Sequence, residues 1–309
     1  MALQYLDFER PIAELEAKIE ELSKLSETAG PGAFEAEIDG LRSRAQQMRR
    51  EAYAHLDAWQ KTQVARHPDR PHFVDYLAEL IEDFVELHGD RVFGDDQALI
   101  GGLGRFRGRP VVVMGHEKGR DTASRVKHNF GYARPEGYRK AVRLMELAER
   151  FGLPVLSFID TAGAYPGVAS EERGVAEAIA RSTEKCLMLG VPNIAIITGE
   201  GGSGGAIAIA GTNRVLILEH AIYSVIAPEG ANSILWRGSR SGADAARAMK
   251  IVDRIVPEPL GGAHSDTAQT MTNVAQALEE ELAALDGLSA EALKKRRAER
   301  FYAIGRTLQ

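Results

Sequence analysis

Two short segments concentrate the residues best suited to chemistry. One is Asp160-Thr161-Ala162-Gly163-Ala164-Tyr165-Pro166-Gly167; the other is Gly199-Glu200-Gly201-Gly202-Ser203-Gly204-Gly205-Ala206. Each follows an apolar run, Val155–Ile159 or Asn193–Thr198, and precedes a helical pattern. In parallel sheets, ligands bind beyond the carboxyl ends of strands, where such loops gather. In the second segment, six of the nine residues from Gly199 to Ile207 are glycine or alanine. Glycine lets a backbone approach a ligand closely and adopt positive φ. The pattern predicts a helix beginning near Gly205, whose first amides have no intrahelical acceptor. Those donors and the positive helix end suit an anion or a developing oxyanion. The competing reading is tight packing of helix on strand.

Side-chain chemistry offers weaker signals. Gly201-Gly202-Ser203-Gly204-Gly205 fits G-x-S-x-G, the nucleophile elbow of hydrolases, and Asp253 and His264 follow in the order serine, aspartate, histidine. So many glycines make that match cheap, and Ser203 reads better as a small residue for close packing. Glu200 would serve a hydratase that needs a catalytic glutamate. Lys118, Arg120, Arg125, Lys127, His128, Arg134, Arg139 and Lys140 form a basic run opposed only by Asp121 and Glu136. It suits CoA phosphates, an acidic partner or a solvated helix face. Lys294-Lys295-Arg296-Arg297 reads as a helix end with favourable dipole placement. No spacing of His, Asp or Glu resembles a metal site, and no Walker-type sequence occurs.

Alternating strands and helices must position the two glycine turns. Strands are expected at Ala98–Phe106, Val111–Gly115, Val155–Ile159, Asn193–Thr198, Arg214–Leu218 and Ile222–Ile226. Helices are expected at Pro135–Phe151 and about Glu172–Gly190, and that alternation indicates an α/β domain with parallel pairing. Phe73, Leu77, Leu80, Phe84 and Leu87 keep the helical period, which predicts one amphipathic helix. Ahead of them, Ile12, Leu15, Ile19 and Leu22 mark a first helix capped at Asp7. Gly30-Pro31-Gly32 breaks it, and a second helix runs from about Phe34 to Trp59. Residues 1–65 are thus expected to form a helical extension, a surface appendage or a subunit-contact arm, and residues 66–309 the main domain. Residues 265–309 return to helix, with Val274, Leu278, Leu282 and Leu285 on one face.

Composition sets the outer limits. The chain has 309 residues, 44% apolar and 27% charged, enough for a sizeable core. A formal charge of -6 argues against a general nucleic-acid binder. The single cysteine, Cys186, excludes an internal disulfide and a cysteine-rich zinc site, and its apolar surroundings make it a small buried hydrophobe. With no secretory signal and no long apolar run, a cytoplasmic location is expected.

Several motifs in one order carry a family resemblance. They are Leu6-Asp7-Phe8-Glu9 with Pro11-Ile12-Ala13-Glu14-Leu15, Arg66-His67-Pro68, Pro135 to Ala141 and Asp160 to Gly167. Gly199 to Ala206, Pro228-Glu229-Gly230 and Pro257 to His264 complete the set, which spans nearly the whole chain. The chain resembles the alpha subunit of the bacterial acetyl-CoA carboxylase carboxyltransferase. The resemblance implies an α/β, crotonase-like (ClpP/crotonase) fold of repeated ββα units, with an N-terminal helical extension and C-terminal helices. It implies a heterotetramer of two alpha and two zinc-containing beta chains. The carboxyl donor would be carboxybiotin on the biotin carboxyl carrier protein, charged by biotin carboxylase, and the acceptor acetyl-CoA; no metal is expected in this chain. Two departures stand out. Ala162 replaces the family's usual proline. Lys250 runs straight into Ile251, where relatives have about ten more residues, whereas a parallel crossover normally needs a dozen or more. Local structure around 238–255 is therefore expected to differ.

By resemblance, Gly204, Gly205 and Ala206 form the oxyanion hole for the biotin ureido oxygen, while Gly163, Ala164, Gly201 and Gly202 line the same cleft. The beta chain supplies the matching hole for the thioester, and no side-chain nucleophile is required. A valine at Gly205 is expected to enter the space of the ureido ring. The rivals are a serine hydrolase using Ser203, a CoA hydratase or isomerase using Glu200, and a non-catalytic scaffold subunit.

Overall fold

The computed structural model describes residues 4–29, 32, 34–224, 251–304 and 306. Pro228-Glu229-Gly230, the end of the strand expected at Ile222–Ile226 and most of 238–255 lie outside them.

The N-terminal helices are α1 (Arg10–Ala29) and α2 (Glu35–Ala54), packed on each other, followed by α3 (Ala58–Ala65). The second helix stops short of Trp59 because Asp57 starts a new one, accepting from the Gln60 amide at 2.8 Å. At the first helix start the cap is not Asp7. A short 3-10 turn at Asp7–Glu9 intervenes, and the Glu9 carboxylate accepts from the Leu6 amide at 2.9 Å. Glu9 is buried and also accepts from the Tyr53 hydroxyl at 2.9 Å, which pins α2 beside it.

The helical period from Phe73 to Leu87 breaks halfway. Helix α4 (Phe73–Leu80) ends there, and Glu82–Glu86 is strand β1, paired antiparallel with β2 (Leu99–Phe106). Period 3.6 fits Phe84 and Leu87 by coincidence; a free ladder on β2 outweighs local periodicity. β2 pairs antiparallel with β3 (Arg109–His116), and β3 then begins a parallel series. That series continues through β4 (Val155–Thr161), β5 (Asn193–Gly202), β6 (Arg214–Leu218) and β8 (Arg254–Val256). β7 (Ile222–Ser224) lies off this path and pairs with the far half of β5. All ten residues of β5 are buried, the uninterrupted burial expected of a parallel strand covered on both faces.

Helices cover the sheet: α5 (Thr122–Lys127), α6 (Pro135–Phe151), α7 (Val168–Glu172), α8 (Val175–Met188), α9 (Ser203–Ala210), α10 (Thr267–Ala283) and α11 (Ala290–Ala303). On α6, Tyr138, Ala141, Leu144, Met145 and Ala148 are buried at spacings of three and four and form the stripe facing β2 and β3. Gly152, at φ 66°, ends that helix as an αL cap. Val274, Leu278, Leu282 and Leu285 are buried as their spacing predicts.

Candidate active site

β4 and β5 are parallel neighbours, so their carboxyl ends bring the two glycine turns together. In the first turn, the Thr161 hydroxyl donates to the Gly163 carbonyl at 2.8 Å and accepts the Gly163 amide at 3.1 Å. The Gly163 amide is thereby engaged, and a side chain added there would meet nothing within 4 Å. Gly163 therefore lines open space and is not a spare donor, and its φ of 157° would strain any side chain placed there. The Tyr165 amide donates to the Ala133 carbonyl at 2.9 Å, and the Arg134 guanidinium lies 5.1 Å from the Tyr165 ring centre. Both contacts hold the far side of the turn, with Ala162 in place of a stiffening proline.

The second turn departs from expectation in one respect. Pairing of Glu200, Gly201 and Gly202 with Ile222, Tyr223 and Ser224 extends β5 to Gly202. Helix α9 then begins at once with Ser203, two residues earlier than predicted, through a left-handed backbone at φ 49°. The i to i−4 rule leaves the amides of Ser203, Gly204 and Gly205 without intrahelical acceptors; Ala206 is the first to reach back. Gly201 and Gly202 lie inside the strand. A side chain at Gly201 would sit 2.9 Å from the Tyr223 ring, and one at Gly202 would strike the Ala162 carbonyl.

The missing side chain of Gly205 points at the first turn, 2.7 Å from the Gly163 carbonyl carbon and 3.0 Å from the Ala164 nitrogen. Valine at Gly205 would therefore collide with that backbone; the expectation that it would enter ligand space is corrected. Gly204 faces only Ile179, at an ordinary 3.5 Å. The structure thus joins Gly205 to Gly163 and Ala164, and Gly202 to Ala162, backbone to backbone.

Charged side chains frame this end of the sheet. Lys118 Nζ lies 2.6 Å from Asp160 Oδ1 and 2.8 Å from Glu200 Oε2, and Arg66 Nε lies 2.7 Å from Glu200 Oε1. Burial opposes the charge on Glu200, yet Lys118 and Arg66 together hold its carboxyl below the usual range. A glutamate pinned at both oxygens is not free to exchange protons, which counts against a hydratase role. Arg70 is buried with Glu258 in a two-pronged pair at 2.9 and 2.5 Å, and its Nε donates to the Thr198 carbonyl at 2.6 Å. The Arg66-His67-Pro68 turn and the Pro257–His264 segment stand out in the sequence, but their meeting here does not.

The hydrolase triad does not assemble. Ser203 is exposed, so it is not the packing residue expected, and its hydroxyl has no hydrogen-bond partner among the described residues. His264 lies stacked on His67, ring centres 3.6 Å apart and 7° from parallel. Burial pushes His264 down to about 3, with His67 and Arg70 adding to the effect. Asp253 accepts from the Val215 amide and from Arg300 Nε, both at 2.7 Å.

The basic runs are largely structural. Lys140 is fully buried and reaches Asp95 at 2.6 Å, Arg139 pairs with Asp90 at 2.7 Å, and Arg120 pairs with Asp75. His128 Nδ1 lies 2.6 Å from the Gln97 carbonyl oxygen. Residues 294–297 sit in the middle of α11 rather than at its end. Arg297 is fully buried and donates to the Leu187 and Leu189 carbonyls at 2.7 and 2.9 Å. It thereby serves the orphan carbonyls at the end of α8. Cys186 is buried there too, its thiol pushed up to about 12 by that burial.

A family model described as acetyl co-enzyme A carboxylase carboxyltransferase-like matches residues 5–305. The acetyl-coenzyme A carboxylase carboxyl transferase subunit alpha of Phenylobacterium zucineum is 78% identical over 317 aligned positions, covering 99% of each chain. The same-named subunit of a Methylobacterium species is 62% identical, over 98% of this chain and 99% of that one. Among solved structures, transcarboxylase 12S with hydrolysed methylmalonyl-coenzyme A bound superposes with a TM-score of 0.56 at 20% identity. That match covers 72% of this chain and 44% of the other. A Pseudomonas malonate decarboxylase hetero-tetramer in complex with malonate gives a TM-score of 0.56 at 17% identity, covering 68% and 89%. At such identities the two structures speak for the fold alone, a mixed α/β sheet covered by helices, in line with the crotonase-like expectation.

Proposed function

The chain belongs to the acetyl-CoA carboxylase carboxyltransferase family as an alpha subunit, and we propose that its two glycine turns form the alpha half of the carboxyl-transfer site. The observation that carries this reading is the backbone contact of Gly205 with Gly163 and Ala164. It sets free helix amides beside an open wall at the carboxyl ends of β4 and β5.

Carboxyl transfer from carboxybiotin to acetyl-CoA gives malonyl-CoA, the start of fatty-acid synthesis. Negative charge builds on the thioester oxygen of the acceptor and on the ureido oxygen of the donor. Donors fixed in advance stabilise such charge without reorganising, each worth roughly 10²–10³ in rate. The Gly204 and Gly205 amides would hold the ureido oxygen, and Ala206 carries the helix on behind them. Gly163 and Ala164 would form the facing wall, while Gly201 and Gly202 let β4 and β7 close against β5. Amides at a helix N-terminus without intrahelical acceptors fit an anionic oxygen. Biotin, when bound, supplies the mobile carboxyl group, and as it leaves it can accept the acetyl proton.

The remaining half of the site belongs, in this reading, to a zinc-containing beta subunit in an alpha2-beta2 heterotetramer. The biotin carboxyl carrier protein, charged by biotin carboxylase, would deliver the donor in the cytoplasm. Residues 1–65 would serve as a subunit-contact arm beside a catalytic domain at 66–309. Among the described residues, no group of His, Cys, Asp or Glu is placed to hold a metal, and no helix is long and apolar enough to cross a membrane. The test is malonyl-CoA-dependent carboxylation of biocytin by this chain with and without the beta subunit. Activity is expected only from the pair; robust turnover by this chain alone would refute a shared site.

A further inference from the structure

The register between β4 and β5 contains an irregularity that no step of the transfer uses. Residues Val155–Ile159 oppose 193–197 one to one, and then Thr161 opposes Gly201. Asp160 alone therefore faces Thr198, Gly199 and Glu200. Bulges of this kind bend a strand and re-aim the side chains beyond the bend, and they gather beside active sites. Here the ladder groups that lose their partners are served by side chains. Asp160 Oδ1 accepts the Glu200 amide at 2.8 Å, and Arg70 Nε donates to the Thr198 carbonyl at 2.6 Å. The Thr198 hydroxyl donates to the Ile159 carbonyl at 3.3 Å. A side chain at Gly199 would sit 2.5 Å from Asp160 Oδ1, so the carboxylate lies directly against the bulged backbone.

The carboxylate is itself fixed. Lys118 Nζ reaches Asp160 Oδ1 at 2.6 Å and ties it to Glu200, which Arg66 holds from the other side. The Asp160 and Glu200 side chains are only 13% and 9% exposed, so the node is well desolvated. Beyond the bulge, β5 leaves β6 and pairs with β7. That change of partner carries Gly202 onto Ala162 and Gly205 onto Gly163. A shift of the bulge would move the Gly204 and Gly205 amides relative to the first turn.

We propose that Asp160 is a positioning residue for carboxyl transfer, its carboxylate holding the β5 bulge and so the spacing between the two glycine turns. The proposal rests on the reading of those turns as the transfer site. In this assignment Asp160 acts without contact to a reacting atom. Its effect is through geometry, where a misplacement of about 1 Å costs on the order of 10²-fold in rate.

Two near-isosteric variants separate geometry from charge. Asp160→Asn keeps an acceptor oxygen in place for the Glu200 amide but loses the charge opposite Lys118. Asp160→Glu keeps the charge but pushes the oxygens one methylene further out. Both, with Asp160→Ala, are to be assayed as alpha–beta complexes for kcat and KM in biocytin carboxylation, after co-purification and circular dichroism. Asn is expected within about tenfold of wild-type kcat, and Glu and Ala about 10²-fold below it, with KM for malonyl-CoA nearly unchanged. Glu equal to or better than Asn in kcat, or Ala within about threefold of wild type, overturns the proposal. If Ala does not assemble, the order of Asn and Glu decides. Gly163→Val, run alongside and checked for assembly in the same way, puts a side chain at the open wall and strains the first turn at φ 157° with no contact to the bulge. If it leaves transfer unchanged, the reading of the turns fails and takes the proposal with it. If it abolishes transfer while the Asp160 series stays near wild type, the positioning role alone is lost.

Discussion

At the carboxyl end of the sheet, the paired turns of Gly163 and Gly205 present backbone with hardly a side chain. The frame adjoining them, Arg70 with Glu258 and Lys118 with Asp160 and Glu200, consists of long charged groups taken almost wholly out of water. The turns would act through amides whose directions follow from strand and helix geometry. The frame keeps those elements in register. The two regions should therefore fail differently: damage to the Arg70–Glu258 pair should appear first in stability and assembly, damage to the turns in rate, and Asp160, which joins frame to turns, should report in rate through their spacing.

The largest effect is expected where the frame is most buried. Arg70 is 4% exposed and Glu258 fully buried, and Glu258 also accepts from the His220 and Ala263 amides at 3.0 and 2.7 Å. Arg70→Ala would strand that carboxylate and cost about 3–5 kcal/mol, the scale of breaking one side of a buried pair. Urea unfolding measures this. A loss under about 1 kcal/mol would mean that the pair does not hold the Pro257–His264 segment to the sheet.

A smaller effect lies in pH. Burial pushes His116 and His264 down to about 3, so both are neutral in the fold, whereas an unfolded histidine takes up a proton near pH 6.5. The unfolded chain then binds more protons, and stability should fall as pH drops from about 6.5 towards 3. Asp96, pushed up to about 6 by burial, acts with the opposite sign between about pH 4 and 6 and offsets part of the slope. Unfolding midpoints at pH 7.5, 6.5 and 5.5 should decline in wild type, and less in His264→Gln. Identical slopes would show that His264 contributes nothing to the decline.

The smallest effect belongs to the turn. Ser203 holds φ 49°, a left-handed conformation that costs a non-glycine residue roughly 1–2 kcal/mol. Ser203→Gly relieves that cost but loosens the unfolded chain, leaving a net gain of about 0.5–1 kcal/mol with carboxyl transfer retained. A destabilised variant would show that the hydroxyl contributes a contact beyond its conformation.

The same contrast explains what the sequence could reveal. A turn rich in glycine and alanine between an apolar run and a helix is a local pattern, and the place of both turns was legible, though the reach of β5 to Gly202 and the direction in which the Gly205 α-carbon faces were not. The frame was not, because Arg70 pairs across 188 positions and Arg66 across 134, and no period or spacing records such pairs. Two of the misplaced boundaries share one cause. Pairing with β2 turned Phe84 into strand, and pairing with β7 extended β5 to Gly202. Sheet partners far along the chain decided both. The basic run at 294–297 misled for a related reason: the meaning of Arg297 lies in the carbonyls that end α8, more than a hundred residues earlier.

Whether backbone or side chain performs the transfer is decided by comparing one glycine with one hydroxyl in the assembled alpha–beta complex. Biocytin carboxylation from malonyl-CoA is measured for Gly163→Val and Ser203→Ala side by side. Gly163→Val is expected to fall by more than about 10²-fold in kcat while Ser203→Ala stays within about threefold of wild type. A complex that tolerates valine at Gly163 but loses about 10³-fold with alanine at Ser203 would overturn backbone catalysis and return the chemistry to the serine.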